Sequence, residues 1–235
     1  MDSLTLERTP AQELRDSLFQ VVTDPSQSDS LHKLLGAFCH QSRNVLNSMK
    51  MSFYLAKRDH HDPTTDFWCD LEPGYRIIEL YFDRLQAICR PVSLLPLNVS
   101  LEMLIDERRQ DWVKVMEQNR RALRFIEPAE ATKGHYDPNR LRDGLDAFIQ
   151  WRAMSGPPDT EATLAWACVD GRFVMEWIEE GGAEIDSSAS DDGPATLSLP
   201  YLARVISAHG GTLDLDFSQG LHLRIQWPAA PSTRR

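Results

Sequence analysis

An apolar repeat with helical spacing runs through residues 31 to 56 and constrains the fold more than any other feature of the chain. Side chains three and four residues apart share one face of an α-helix, so the repeat predicts a long amphipathic helix. Only one member is polar, and the members are Leu31, Leu34, Leu35, Phe38, Ser42, Val45, Leu46, Met49, Phe53 and Ala56.

A second apolar repeat begins after the stretch "RDHHDPTTDFWCDLEPG" and predicts a helix from about Tyr75 to the proline at position 91. Its members are Tyr75, Ile77, Ile78, Tyr81, Leu85 and Ile88. Two helices joined in this way form an antiparallel hairpin. A single hairpin has nowhere to bury its apolar face, so the sequence predicts a homodimer that forms a four-helix bundle.

One histidine interrupts the first helix, in the stretch "FCHQSRNVLNSM". At about 100° per residue, His40 is predicted on the side of the helix opposite the apolar repeat. Gly36 and Ala37 are small and leave the nearby backbone open to another surface, so this side is a candidate docking face. The spacing alone fits equally well an exposed helix that carries a histidine by chance. The other residues on this side are Lys33, Arg43, Asn44 and Asn47.

The C-terminal half alternates between helical and strand patterns. It predicts a helix in residues 96–119 capped by Ser100 or Asn98, a strand at "RALRFIEP", and a helix whose N-cap is Asp137. Two strands around the "DG" turn, a helix near Pro200 and a last hairpin through "SQG" follow. The predicted fold is α+β, with helices on one face of a largely antiparallel sheet. The tryptophans, Trp151 among them, are expected in its core.

The predicted organisation has four parts. Residues 1–28 form an N-terminal helical segment with a short helix at 10–22, 29–94 form the hairpin, 95–230 form the α/β domain and 231–235 form a tail. The net charge of −10 argues against a nucleic-acid partner, which would require clustered basic residues. Scattered cysteines without a signal peptide or membrane span predict a cytoplasmic protein. The "DHHD" stretch at 59–62 is a weak candidate metal site, so no metal is expected.

The order of these elements over residues 30–228, together with three short segments, resembles the sensor histidine kinases of bacterial two-component systems. "HQSRNVL" resembles the segment that contains the phosphoacceptor, with matches at His40, Arg43, Asn44 and Leu46. "DPNRLRDGL" and "LPYLARVISAHGGTLDL" resemble two segments of the kinase nucleotide-binding domain. The resemblance implies a dimerisation and phosphotransfer hairpin followed by an α/β sandwich of the GHKL (Bergerat) type.

The departures from this family imply that the nucleotide site does not work. Ala147 and Trp151 occupy the positions of asparagines that hold Mg²⁺ and phosphate in the kinases, and neither side chain ligates a hard cation. Glu179 replaces the aspartate that binds adenine, and the glycine-rich lid has become "GPATLSLP". Gln41 replaces the acid beside the histidine and cannot act as a base in attack on ATP.

Charge points to the same conclusion. Lys and Arg are missing from residues 173–203, and acidic side chains near a triphosphate would oppose its binding, at about 4 kcal/mol for a pair of like charges 4 Å apart at an effective dielectric near 20. The acidic residues of this segment are Glu176, Glu179, Glu180, Glu184, Asp186, Asp191 and Asp192.

The interpretation that follows is a dimeric histidine phosphotransferase of a phosphorelay, a pseudokinase that takes no ATP and no cofactor of its own. His40 would carry the phosphoryl group, Arg43 would offset its charge, and Asn44 would contact the receiver. The response-regulator receiver domain would bring Mg²⁺, and an upstream histidine kinase would supply the phosphate. Two alternatives remain: a response-regulator phosphatase that uses Asn44, and a non-catalytic protein that sequesters a receiver or kinase. The expected docking residues are Lys33, Gly36, Ala37, Gln41 and Asn47.

Overall fold

The computed structural model describes residues 28–59, 66–89, 92–180, 197–216 and 220–230. The predicted N-terminal helix at 10–22 lies outside these residues, as does most of the "DHHD" stretch. Within the helices, the side chains of several positions also lie outside the description, namely residues 28–35, 37, 39–41, 56–59, 66–72 and 89.

Two long helices form the N-terminal part. Helix α1 spans Ser28–Asp59, helix α2 spans Asp66–Cys89, and the two pack against each other. The apolar repeat predicted a second helix from about Tyr75, but α2 starts nine residues earlier and contains Pro73. A proline removes one backbone N–H from the helix, and the remaining hydrogen bonds of a helix of 24 residues continue past it. None of the described helices is long and apolar enough to cross a lipid bilayer.

The described residues of the C-terminal part form three helices and seven strands. In chain order they are β1 (Leu97–Ser100), α3 (Leu101–Gln118), β2 (Ala122–Ile126), β3 (Lys133–Tyr136), α4 (Pro138–Ser155), β4 (Glu161–Val169), β5 (Arg172–Glu180), α5 (Ser198–Ala208), β6 (Thr212–Asp216) and β7 (Gly220–Pro228). The main sheet has the order β2-β4-β5-β7-β6, in which β2 runs parallel to β4 and all other pairs are antiparallel. The fold is therefore α+β with a mixed sheet.

Local sequence signals account for several boundaries. The Ser100 side chain accepts a hydrogen bond from the Met103 N–H and caps α3. The Asp137 carboxylate accepts from two backbone N–H groups at the start of α4, and Pro138 follows at the first helical position. Asp170 and Gly171 both have positive φ, as the tight turn between β4 and β5 requires.

The small sheet of β1 and β3 is the element that the sequence analysis missed. Its strands pair antiparallel from Leu97–Tyr136 to Ser100–Lys133, and β1 occupies residues that were predicted as the start of a helix. Four-residue strands carry too little alternation to be recognised from pattern alone. Helix α5 begins at Ser198, two residues before the predicted Pro200.

Alternating burial along β4 and β7 shows that one face of the main sheet is covered. Aromatic side chains dominate this core, and the rings of Phe148 and Trp177 meet edge to face with centroids 5.3 Å apart. The expectation that the tryptophans belong to the core is confirmed for those that the structure describes in the C-terminal part: Trp112, Trp151, Trp166, Trp177 and Trp227.

The hairpin packs against this core through the C-terminal end of α2. Ile88 is 1% exposed and belongs to the core cluster, and Tyr81 and Leu85 pack against the same cluster. Arg84 donates a hydrogen bond of 2.9 Å from its guanidinium to the Ser198 hydroxyl at the start of α5. The C-terminal turns of α2 therefore belong physically to the second domain.

Candidate functional site

The face of α1 around His40 is the first part of the candidate site. The backbone of residues 28–59 is helical throughout, so His40 lies within α1, one turn before Asn44. The side chains of His40, Lys33, Ala37 and Gln41 are not among those that the structure describes.

The described neighbours of His40 on this face are open to solvent. Asn44 and Asn47 are exposed, and a Cβ atom built on Gly36 would meet nothing within 4 Å. At these three positions no described side chain blocks the approach of another surface to the helix backbone, and the docking face itself stays a prediction.

Arg43 is placed differently from the expectation. Its guanidinium does not share the outward face with Asn44: it forms an ion pair with Asp83 and donates a 2.8 Å hydrogen bond to the side-chain oxygen of Gln86, both on α2. Arg43 flanks the contact between the helices, and its length lets the charge reach the carboxylate across the hairpin. The side chain stays 45% exposed.

The apolar repeat of α1 is divided between two surfaces. Leu46 is buried against α2, and its carbonyl accepts a 2.8 Å hydrogen bond from the Tyr75 hydroxyl. Lys50 pairs with Glu79 one helical turn further along. Other apolar side chains of the hairpin are exposed by 41–65%, and they are Phe38, Val45, Met49, Met51, Tyr54, Leu55, Ile77, Ile78 and Leu80. One chain therefore leaves a large apolar surface exposed to solvent, although the Phe38 ring also contacts Phe82.

The positions aligned with metal-binding and phosphate-binding residues lie inside the core. Ala147 and Trp151 on α4 are 6% and 2% exposed. The Trp151 ring packs against Phe148, with centroids 6.0 Å apart. An indole and a methyl group at these places offer no oxygen to a divalent cation. Among the described residues, no group of three His, Cys, Asp or Glu side chains forms a metal site.

Glu179 is the centre of a buried charge cluster that the sequence analysis did not foresee. Arg152 holds its carboxylate with two hydrogen bonds, of 3.0 Å from Nε to Oε1 and 2.8 Å from Nη2 to Oε2. Arg121 adds an ion pair at 2.7 Å, and the Trp177 indole donates a hydrogen bond of 2.7 Å. The carboxylate is therefore occupied by this protein's own side chains.

The electrostatics of the cluster favour ionised Glu179. Burial alone would raise the pKa of this carboxyl, but the hydrogen bonds and charge of Arg152, with the charge of Arg121, lower it below its ordinary value. Burial lowers the pKa of Arg121, and the Glu179 charge works against that shift. The expectation that Glu179 adds negative charge facing a ligand is thus wrong, because two guanidiniums from outside the acidic segment offset it.

A groove of about 350 Å³ lies between the hairpin and the C-terminal part. The side chain of Arg140 forms a hydrogen bond with Tyr201 on α5. Burial, and then the charge of Asp143, raises the pKa of Tyr201, while Arg140 partly offsets the shift. The groove is lined by Arg43, Asp83, Gln86, Ala87, Val92, Arg140, Tyr201 and Val205.

Hydrogen bonds of His209 connect three segments beside this groove. Its Nε2 accepts a 3.0 Å hydrogen bond from the Asp137 N–H, and its Nδ1 lies 2.8 Å from the Val205 carbonyl. The two contacts together require the neutral ring with the proton on Nδ1. Asp137 in turn accepts a hydrogen bond from the Leu95 N–H in the segment that follows the hairpin. Burial lowers the pKa of His209 below its ordinary value.

Comparisons with known proteins bear on this arrangement. No protein-family model and no curated protein matches the chain. Solved structures do match: the histidine kinase AdeS of Acinetobacter baumannii has a TM-score of 0.57 at 13% identity, over 80% of this chain and 97% of that one. Full-length ShkA in complex with AMPPNP has a TM-score of 0.63 at 16% identity, over 85% of this chain and 46% of that one.

A third structure is the histidine kinase ThkA in complex with the response regulator protein TrrA. Its TM-score is 0.58 at 13% identity, over 95% of this chain and 66% of that one. The chain has a histidine-kinase-like fold. At these identities the likeness concerns the fold alone.

In a chain with this fold, the three positions that the sequence analysis aligned with nucleotide-binding residues are all buried. Ala147, Trp151 and Glu179 are 6%, 2% and 6% exposed, and the side chains of Trp151 and Glu179 contact other side chains of the domain itself. Arg121 and Arg152 were not identified from the sequence. Their partner lies 58 and 27 residues away along the chain, and no local pattern indicates such a pairing.

Proposed function

We propose that the chain is a histidine phosphotransferase of a bacterial two-component phosphorelay. It passes a phosphoryl group between His40 and the aspartate of a partner receiver domain, and it does not phosphorylate itself from ATP. Two observations support the proposal. The fold is histidine-kinase-like, and the residues at the positions where the resemblance places the nucleotide-binding residues differ from those of the kinases.

The observation that carries the proposal is the cluster at Glu179. This carboxylate stands where the resemblance places the adenine-binding acid, and two guanidiniums and an indole N–H already use both of its oxygens. Releasing it for a nucleotide would leave the buried charges of Arg121 and Arg152 without a partner, at a cost of several kcal/mol. Trp151 adds bulk nearby where an asparagine would face the phosphates.

Transfer to and from a receiver needs little chemistry from this chain. A lone pair on a ring nitrogen of His40 attacks the phosphorus of the receiver's acyl phosphate, the N–P bond forms, and the O–P bond breaks as the aspartate carboxylate leaves. The ring proton is then given up to solvent, and the reverse sequence returns the phosphoryl group. The receiver contributes Mg²⁺ and its acidic pocket. Arg43 lies one turn away and offsets phosphate charge if it leaves Asp83.

The partner of this reaction is a response-regulator receiver, with an upstream histidine kinase as the source of phosphate. The ThkA structure contains a response regulator, which supports a partner of this class. The receiver docks on the open face of α1 at Gly36, Asn44 and Asn47. The further docking residues are Lys33, Ala37 and Gln41. The exposed apolar side chains of the hairpin are covered by a second copy of the chain, as a homodimeric four-helix bundle.

A second candidate function is removal of the phosphate from a receiver. Asn44 is exposed one turn after His40, where a side-chain amide orients a water molecule against phosphoaspartate. In that case Asn44 carries the activity and His40 is dispensable.

The test is incubation with a ³²P-labelled phosphoreceiver, comparing wild type with His40→Ala and Asn44→Ala. A phosphotransferase becomes labelled as the receiver loses label, and only the His40 variant abolishes this transfer. A phosphatase releases inorganic phosphate and fails in the Asn44 variant. A sequestering protein binds the receiver and leaves its label in place, in wild type and both variants alike.

A further inference from the structure

The groove between the hairpin and the C-terminal part concentrates positive charge in a protein whose net charge is −10. Arg43 and Arg140 line it, with Asp83 as the one carboxylate among the described lining residues. Asp83 is paired with Arg43. No ion pair joins Arg140 to any carboxylate in the part of the chain that the structure describes, and Asp143, whose charge acts on Tyr201, is not among the described lining residues. The field in the groove therefore favours an anion.

The remaining walls are suited to an organic molecule. Ala87, Val92 and Val205 contribute apolar surface, and the half-buried Tyr201 contributes an aromatic ring and a hydroxyl group. The amide of Gln86 supplies a further donor and acceptor. A volume of about 350 Å³ is within the range of small-molecule pockets, which start near 300 Å³. The groove therefore suits a ligand that has an anionic group for the guanidiniums and an apolar body for the walls beside them.

We propose that this groove binds a small organic phosphate. The phosphate group takes the guanidiniums of Arg43 and Arg140, which offer planar pairs of N–H donors that match phosphate oxygens. The apolar or aromatic body lies against Tyr201 and Val205. The inference goes beyond the proposed function, since it requires neither a phosphohistidine nor a receiver.

Such a ligand would connect two parts of the molecule. Arg43 belongs to α1, one turn from His40, and Arg140 belongs to the first turn of α4. An anion held by both would compete with Asp83 for Arg43 and would fasten the phosphotransfer helix to the C-terminal domain. The site is therefore placed to link a small metabolite to the helix that carries His40.

The probe for this site is phenyl phosphate, titrated into the full chain and followed by the ³¹P resonance of the ligand. We expect saturable binding by wild type and an affinity at least about tenfold lower for Arg140→Gln, since one charged partner of the phosphate is lost. The matched control is Arg142→Gln, which removes the same charge two residues away. Arg142 lies near Glu107 and Asp143 and does not line the groove, so its variant keeps wild-type affinity.

Two further measurements complete the test. Phenol, which lacks the anion, should bind at least about tenfold more weakly than phenyl phosphate, and Arg43→Gln should weaken phenyl phosphate as Arg140→Gln does. Chemical denaturation of each variant verifies that it is folded. The proposal is overturned if wild type does not bind phenyl phosphate, or if Arg142→Gln loses as much affinity as Arg140→Gln. Because no phosphotransfer is measured, either result is independent of the proposed function.

Discussion

Arg152 and Glu179 face each other as a bidentate pair inside the C-terminal domain, with Nε 3.0 Å from one carboxylate oxygen and Nη2 2.8 Å from the other. Both side chains are almost completely buried, and Arg121 joins them from the short connection between α3 and β2 with no exposed side-chain surface. Three charges have thus been moved out of water together, which is stable only if each one keeps its partners.

Glu179→Gln is therefore predicted to destabilise the protein by about 3–5 kcal/mol, because it leaves two buried guanidiniums without their counter-charge. The control is Glu176→Gln on the same strand, whose carboxylate pairs with Arg224 near the surface and contributes less than about 1 kcal/mol. Urea unfolding of the two variants measures the difference. Equal free energies of unfolding would show that the cluster does not stabilise the fold.

His209 gives the fold a dependence on mildly acidic pH. Its folded pKa is lowered by burial from the ordinary value of 6.5, so the unfolded chain takes up the proton first. The stability that depends on the neutral ring is complete above pH 6.5 and is lost as the pH falls through the folded pKa, by at most about 1.4 kcal/mol per pH unit.

His209→Gln should reduce this loss between pH 7.5 and 5, as measured by denaturant unfolding at each pH. His222→Gln, which changes an exposed histidine on β7, should keep the wild-type profile. A wild-type profile in the His209 variant would mean that this ring does not control the acid sensitivity. Glu179 acts in a different pH range. Because the pKa of its carboxyl is lowered, its stabilising charge is lost only as the pH falls below the ordinary carboxyl pKa of 4.5.

Because the C-terminal turns of α2 pack in the core of the C-terminal domain, we predict that hairpin and domain unfold together. Ile88→Ala should cost about 2–5 kcal/mol, since it opens a cavity in the shared core. Ile77→Ala, on the same helix but 53% exposed, should cost far less. Circular dichroism follows all the helices, more than half of whose described residues lie in the hairpin, and tryptophan fluorescence follows mainly the domain, which contains five of the six tryptophans. Two transitions at different denaturant concentrations would show that they are independent.

The exposed apolar side of α1 predicts a homodimer that a single charge disrupts. Val45→Glu places a carboxylate on the side that bears Phe38 and Met49, and should yield monomers in sedimentation velocity. Tyr54→Glu is the matched control, because Tyr54 is similarly exposed but lies about half a helical circumference from Val45. Dimers that survive Val45→Glu but not Tyr54→Glu would place the interface on the other side.

Local signals made much of the architecture predictable. Asp137 and Pro138 mark the start of α4, and Asp170 with Gly171 marks the hairpin between β4 and β5, because caps and tight turns depend on a few adjacent residues. The strands β1 and β3 could not be recognised, since each is short and is formed only by pairing across more than 30 residues.

In the candidate site, too, contacts between residues far apart in the sequence could not be predicted. The resemblance around His40 rests on seven consecutive residues, but the partners of Arg43 lie about 40 residues away on α2, so its ion pair with Asp83 was missed. The resemblance placed Glu179 where the kinases have an adenine-binding aspartate, and its charge was interpreted from its acidic neighbours in sequence. Its partners in space are two arginines, and that arrangement emerges only when the connection before β2, α4 and β5 come together.

The most direct test of the account compares two sources of phosphate in one experiment. Wild type and His40→Ala are incubated either with labelled ATP and Mg²⁺ or with a labelled phosphoreceiver, and label on the chain is counted after acid and after alkaline treatment. The account predicts label only from the phosphoreceiver, only on wild type, and in a form that acid removes and alkali preserves. Label taken directly from ATP, or receiver-derived label that persists on His40→Ala, would contradict it.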